Sequence, residues 1–470
     1  MLCRFLTAVI LSALITPNAL SFDHWIALRT PHFELLTECG EKEGRDSLRL
    51  FEEVRAAFTD TLGLRLPNAR PVTIIAFLDE HGLAPYRPHP NALAFTTSIR
   101  NHNYVVMQDL NPAHYPVALH ELTHVLIDQA SIKLPLWLNE GFGEFYGTLI
   151  PSGKGIRVGR IIPERMQVLQ SAMLDLREVL NADKKSPLYR EADRIGVFYA
   201  ESWALLHMLK FSDSYGARFE RFLDAVGTGQ SSEAALQAVY GKTVDQIFRD
   251  LVLYVRGGKF REGVIKARLN RAVPEPQLEK VNPLSLSCVL ASIEAQGPQR
   301  PLAITTLKEL AGANPTELQP VETLAWAELS GPDPVQAIEP FRRALELGTR
   351  DAMLCFGIAA HLRAAISDDI YVSALRRTIE VDPAMDQAHE LLAAYAFDHH
   401  DFRETVIQLR AIKKLEKSNA FTYYSMLADA AFQTGDLSEA RSARSRAEAY
   451  ASTTEQKRRL DELRRREDGK

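Results

Sequence analysis

Beyond about residue 284 the chain returns to itself every 34 residues, which restricts its fold more than any other feature of the sequence. Ala313, Leu347, Val381, Leu415 and Ala449 occupy comparable positions, each 34 residues after the last. The run FRRALELGTRDA at Phe341 to Ala352 is echoed by LRRTIEVDPAMDQA at Leu375 to Ala388. The segments starting at Phe402 and Leu437 each follow an Asp, as the turn before a second helix would. A period of this length is one helix–turn–helix unit, and one such pair cannot bury its apolar face alone, so neighbours must stack. A non-repeating helical bundle would explain the helical character but not the period. Residues 284–452 are therefore expected to form an all-α array. Residues 453–470 are expected to be a charged tail, a solvated and partly frayed helix end. There Lys457, Arg458, Arg459, Arg464, Arg465 and Arg466 interleave with Glu455, Asp461, Glu462, Glu467 and Asp468.

The remaining length leaves room for another domain, since 470 residues exceed one domain at roughly 150 each. A net charge of −5 supplies no strong basic field, which argues against nucleic acid or an acidic membrane surface as partner. At the N-terminus Arg4 precedes an uncharged apolar run, Phe5 to Ile15, followed by Thr16, Pro17, Asn18, Ala19 and Ser21. That order reads as a secretory signal peptide, residues 1–21, cleaved after Ser21, and so as an exported, periplasmic or secreted protein. An uncleaved anchor is the weaker reading because the run falls well short of the ~20 residues that span a bilayer. No later stretch reads as transmembrane. Cleavage removes Cys3 and leaves Cys39, Cys288 and Cys355, too scattered for a disulfide framework or a metal knuckle.

Residues 22–256 read as an α+β domain, a small mixed sheet followed by helices, with 257–283 as a Gly- and Pro-marked linker. The run His32 to Thr37 alternates with period two, Pro71 to Leu78 is apolar and β-rich, and Tyr104 to Met107 is a further strand. Asp46 to Leu62 carries Leu48, Phe51, Val54, Phe58 and Leu62 at helical spacing. Helices follow at Tyr115–Ala130 and Leu138–Leu149, either side of a short turn containing Pro135, and again at Ile195–Ser212.

The first of these helices contains His120-Glu121-Leu122-Thr123-His124. Residues four apart share one helix face, so two imidazoles can converge on one ion, with Glu121 placed to take a proton from metal-bound water. Apolar residues flank the motif on both sides, and burying two imidazoles and a carboxylate is costly unless a cation satisfies them. Glu140 follows His124 by sixteen positions, on the next helix. Two His and one Glu leave a fourth tetrahedral position open for water, the pattern of a catalytic zinc site.

HELTH followed by LPLWLNEGFGEFY is similar to the gluzincins, especially the peptidase MA-like family and the aminopeptidase N family. The resemblance covers roughly residues 25–255 and implies a zincin-like domain with His120, His124 and Glu140 as zinc ligands and Glu121 as general base. It also implies a peptide or protein substrate. Glu144, one turn beyond Glu140, points toward the metal helix and is placed to accept the outer N–H of His120; thermolysin-type gluzincins have an Asp at that position, and a solvated helix glutamate is the alternative. VFYAESWALLHML at Val197 to Leu209 looks like the aminopeptidase helix whose tyrosine stabilises the oxyanion, which puts Tyr199 in that role against the alternative of core packing. Ser202 stands where that family has Gly. Some related zinc peptidases draw the third ligand from a more distant helix, which makes Glu201 the competitor of Glu140. His102, His114 and His207 lack partner spacing and read as surface or packing residues.

The aminopeptidases carry a substrate-amine-binding Glu on a strand before HExxH. Asn91 to Met107 contains no Glu, so an endopeptidase is the better expectation. The 34-residue period resembles the tetratricopeptide repeat, with most Trp-Leu-Gly consensus positions substituted but Gly435 and Asp436 fitting the turn, and implies a protein partner or substrate bound by the array. The reading of another class is a secreted interaction scaffold with an inactive metallopeptidase-like domain.

Overall fold

The computed structural model describes residues 24–468 except 63–65, 67–69, 101, 153–154 and 266–274. The proposed leader therefore lies outside the described residues. Contacts divide the chain into two compact units, 1–283 and 284–470.

The first unit holds strands β1 (Ile26–Arg29), β2 (Phe33–Thr37), β3 (Val72–Ala76), β4 (Ala94–Ile99), β5 (His102–Met107), β6 (Ile150–Ser152), β7 (Gly155–Val158), β8 (Gly263–Ile265) and β9 (Gln277–Glu279). Its main sheet runs β4-β5-β3-β2-β1-β9 and is mixed, because β3 lies parallel to both β2 and β5 while the outer pairs are antiparallel. Phe33, Leu35, Ile74 and Val105 bury one face of the sheet against helix α1 (Glu41–Leu62), whose Leu48, Phe51, Val54 and Phe58 recur at helical spacing. Residues 257–283, expected as linker, instead supply β8 to a three-stranded sheet with β6 and β7, and β9 to the far edge of the main sheet.

Four further helices position the site: α2 (Tyr115–Gln129), α3 (Leu136–Gly147), α4 (Pro163–Ser171) and α5 (Ala192–Phe211). Pro116 in the first turn of α2 needs no hydrogen-bond partner for a backbone N–H, which suits a helix start. Ser131, at a φ of 54°, ends the run and turns the chain back. Pro135 then precedes α3, and Trp137 anchors it by donating its indole N–H to Ser232 Oγ at 2.8 Å. α2 packs against α3 and beside β4 and β5, and α3 packs in turn on α5.

The second unit is a succession of paired helices from Pro283–Glu294 to Thr454–Asp468. The recurring positions mark where alternate helices end. Ala313 and Val381 are last helical residues, Leu347 and Ala449 directly follow a helix, and Leu415 lies four residues past one. Gly435, with φ of 87°, closes one helix, and Asp436 opens the next by accepting the Glu439 N–H at 3.0 Å. Ala325, Phe341, Leu354, Ile358, Leu375 and Leu392 bury one another across successive helices. The charged C-terminus differs from the solvated tail expected. Thr454–Asp468 is a helix that buries Leu460 and Leu463, its Arg459 and Arg466 both pair with the buried Asp429, and Glu467 meets Arg444 at 2.9 Å. Among the described residues, no helix is long and apolar enough to cross a membrane.

Candidate metal centre

The buried face of α2 carries Ala118, Leu119, Leu122, Val125 and Leu126, leaving His120, Glu121 and His124 as a polar stripe beneath α3. Glu140, one turn into α3, is buried and points its Oε2 at both imidazoles, 3.3 Å from His120 Nε2 and 3.4 Å from His124 Nε2. The two Nε2 atoms are 2.9 Å apart. Among the described residues this is the group of His, Cys, Asp and Glu whose donor atoms converge closely enough to hold a metal ion.

The donor set fits a small tetrahedral cation. Bonds of about 2.0–2.1 Å place tetrahedral N and O donors about 3.3 Å apart, close to the observed separations. One proton cannot serve three mutual contacts at once, whereas a central cation can. His124 Nδ1 is buried with no acceptor among the described residues, so that ring's polar contacts lie on its Nε2 side, toward the cluster. Gly143 supplies the space for the other ring: a Cβ there would sit 2.7 Å from His120 Cε1 and 2.8 Å from its Nε2.

The electrostatics favour positive charge at this point. Burial alone would raise the Glu140 carboxyl, but hydrogen bonds from His120 and His124 outweigh it and hold the group at about 2. For His120 burial works toward the neutral form, yet Glu140, then Glu144 and Glu121, hold its pKa above the ordinary value. A divalent ion would exploit the same surplus of carboxylate.

The neighbouring groups are placed as follows. Glu121 receives the Thr96 hydroxyl of β4 on Oε2 at 2.9 Å. Glu144 is buried rather than solvated. Its Oε1 lies 3.5 Å from His120 Nδ1, long for a hydrogen bond, while Arg165 of α4 grips both carboxylate oxygens at 2.7 and 2.8 Å. Tyr199 of α5 stands beside the cluster, its ring 6.2 Å from the His120 ring with the Arg165 guanidinium 5.5 Å above it. Burial, then the charge of Glu140 and the neighbouring Tyr189 phenol, push the Tyr199 hydroxyl far up, so it stays protonated and can donate.

The remaining candidates fall elsewhere. Glu201 is fully buried, accepts the Leu174 N–H at 2.8 Å and does not join the cluster. His102 contacts the Thr73 hydroxyl at 2.7 Å, His114 contacts Asp109 at 2.8 Å, and His207 lies between Tyr254 and the Gly159 carbonyl. Sequence reasoning passed over Thr96, Arg165 and Tyr189, whose hydroxyl donates to Glu140 Oε1 at 3.1 Å. None of the three sits in a local pattern. The helix-interior glycines of α3 were the readable signal for close approach by His120.

No protein-family model and no characterised protein matches this chain.

Proposed function

We propose that the chain is a zinc-dependent endopeptidase. The observation that carries this reading is the convergence of His120 Nε2, His124 Nε2 and Glu140 Oε2 beside a separately held carboxylate, Glu121. A structural site would close the coordination sphere with a fourth protein ligand, whereas three donors leave it open. Zinc at such a centre supplies Lewis acidity toward a scissile carbonyl and toward water. Thr96 occupies Oε2 of Glu121 and leaves Oε1 to take the proton of the attacking water and return it to the leaving amine. The protonated Tyr199 donates toward the developing oxyanion, as a preorganised dipole should. Arg165 fixes Glu144 against the far side of the His120 ring. β4 and β5 bring no carboxylate to bind a free α-amine, because residues 91–107 contain neither Asp nor Glu, which favours cleavage within chains. The helical repeats, read as degenerate tetratricopeptide units, bind a protein partner or a substrate segment, and the N-terminal leader exports the protein.

The test is cleavage of a peptide library by zinc-loaded wild type and by Glu121→Gln. Wild type should cut at internal bonds, while the variant keeps its zinc and loses ~10²–10⁴-fold in rate, the range for a lost general base. Zinc-loaded wild type that cuts nothing, or a variant as active as wild type, overturns the reading.

A further inference from the structure

Glu140 has two oxygens, and the structure treats them differently. Oε2 faces the two imidazoles at 3.3 and 3.4 Å, while Oε1 accepts the Tyr189 hydroxyl at 3.1 Å. Tyr189 comes from outside the two metal-site helices, on a short turn of helix at Pro187–Arg190. That turn is tightly built. Ser186 Oγ accepts the Asp183 N–H at 2.8 Å, Asp183 accepts the Lys185 N–H at 2.8 Å, and Glu191 N–H bonds the Pro187 carbonyl at 2.9 Å. Leu188 buries itself beneath the turn, and the Tyr189 ring stands edge-on to both Phe198 and Tyr199, with centroids 6.1 and 6.2 Å away. The turn and the aromatic packing thus hold the phenol in place.

We propose that Tyr189 is a positioning residue that restricts Glu140 to one-oxygen binding of the metal, which keeps a coordination position open for water. The proposal rests on the metal reading above. A carboxylate free on both sides can bind through both oxygens and fill the vacant place. A donor on the distal oxygen engages one of its lone pairs, fixes the plane of the carboxylate and works against that outcome. Partners of this kind orient metal ligands, and their loss commonly weakens metal binding 10–100-fold.

Cobalt(II) titration of the full chain followed by visible absorption provides the test, because the band intensity reports coordination number without any need for turnover. Tyr189→Phe should weaken cobalt binding about 10–100-fold, and its band should lose intensity as Glu140 swings to two-oxygen binding. Tyr254→Phe removes a phenol hydroxyl of the same unit that contacts His207 and not the cluster, and should keep wild-type affinity and spectrum. The melting temperature of each metal-free variant separates positioning from packing. The proposal is overturned if Tyr189→Phe matches wild type in affinity and spectrum, or if its affinity falls only as far as the metal-free protein is destabilised. A wild type that takes up no cobalt is a different outcome, which removes the metal reading and this inference with it.

Discussion

A glycine inside a helix costs roughly 1 kcal/mol relative to alanine, yet α3 carries Gly141, Gly143 and Gly147 within one short segment. Each occupies a place where a methyl group would collide: with Ser202 O at 2.8 Å, with the His120 ring at 2.7 Å, and with Pro116 O at 2.8 Å. Gly143 is the one whose replacement acts on the chemistry. Gly143→Ala should push the His120 imidazole out of line and weaken zinc binding at least tenfold, in the range seen when ligand orientation is lost, as competition with a zinc-sensitive dye would measure. Unchanged affinity would show that the ring has room to move. Glu201 offers a prediction at the same scale. Burial pushes its carboxyl up to about 7, well above its unfolded value, and its Oε1 finds no hydrogen-bond partner among the described residues. The native state therefore holds an extra proton between about pH 4.5 and 7, and stability falls as pH rises through that window, then levels off. Glu201→Gln should abolish the slope and stabilise the protein at pH 8 by an amount on the order of 3 kcal/mol. Denaturant titrations at pH 5 and pH 8 check the sign. A slope as steep in the variant as in wild type would place the titrating group elsewhere.

At the scale of elements, the site is a helical hairpin braced from outside. His120, Glu121, His124 and Glu140 were readable because two adjacent helices and one turn carry them all: helical spacing puts the two imidazoles on one face, and the short turn brings Glu140 back to it. The residues that brace them come from farther along the chain: Thr96 reaches Glu121 across 25 positions, Arg165 reaches Glu144 across 21, and Tyr189 reaches Glu140 across 49. No periodicity links such pairs; the sheet edge and the packing of α4 and α5 decide which side chains meet. The same limit hid β8 and β9, three-residue strands whose apolar pattern is too brief to distinguish from linker. At the seam between α3 and α5, Gly141 lies directly over the backbone of α5. Gly141→Ala places its methyl group against the Ser202 carbonyl and should cost about 1–3 kcal/mol by overpacking. Equilibrium denaturation would measure that cost, and a loss under 0.5 kcal/mol would mean that the two helices separate easily.

For the whole molecule, the 34-residue recurrence was legible because alternate helices of the second unit end at or within four residues of the recurring positions. The C-terminal helix was misjudged because its charge pattern looks solvated, while Leu460, Leu463 and the pairing of Arg459 with Asp429 bury part of it. If the metal belongs to the first unit alone, the two units should respond differently to its removal. At zinc a hundredfold above Kd the bound state gains about 2.7 kcal/mol. Chelation should therefore increase hydrogen exchange in α2 and α3 and leave the helices beyond residue 284 as they were. Equal deprotection of both units would tie the array's stability to the metal. The central claim, that HELTH and Glu140 form one metal centre, is tested most directly by the zinc content of the full-length protein after equilibration with zinc and exhaustive dialysis. The account predicts one equivalent per chain in wild type, and little in either His124→Ala or Glu140→Ala with the fold retained. A wild type that keeps no zinc, or variants that keep a full equivalent, would contradict it.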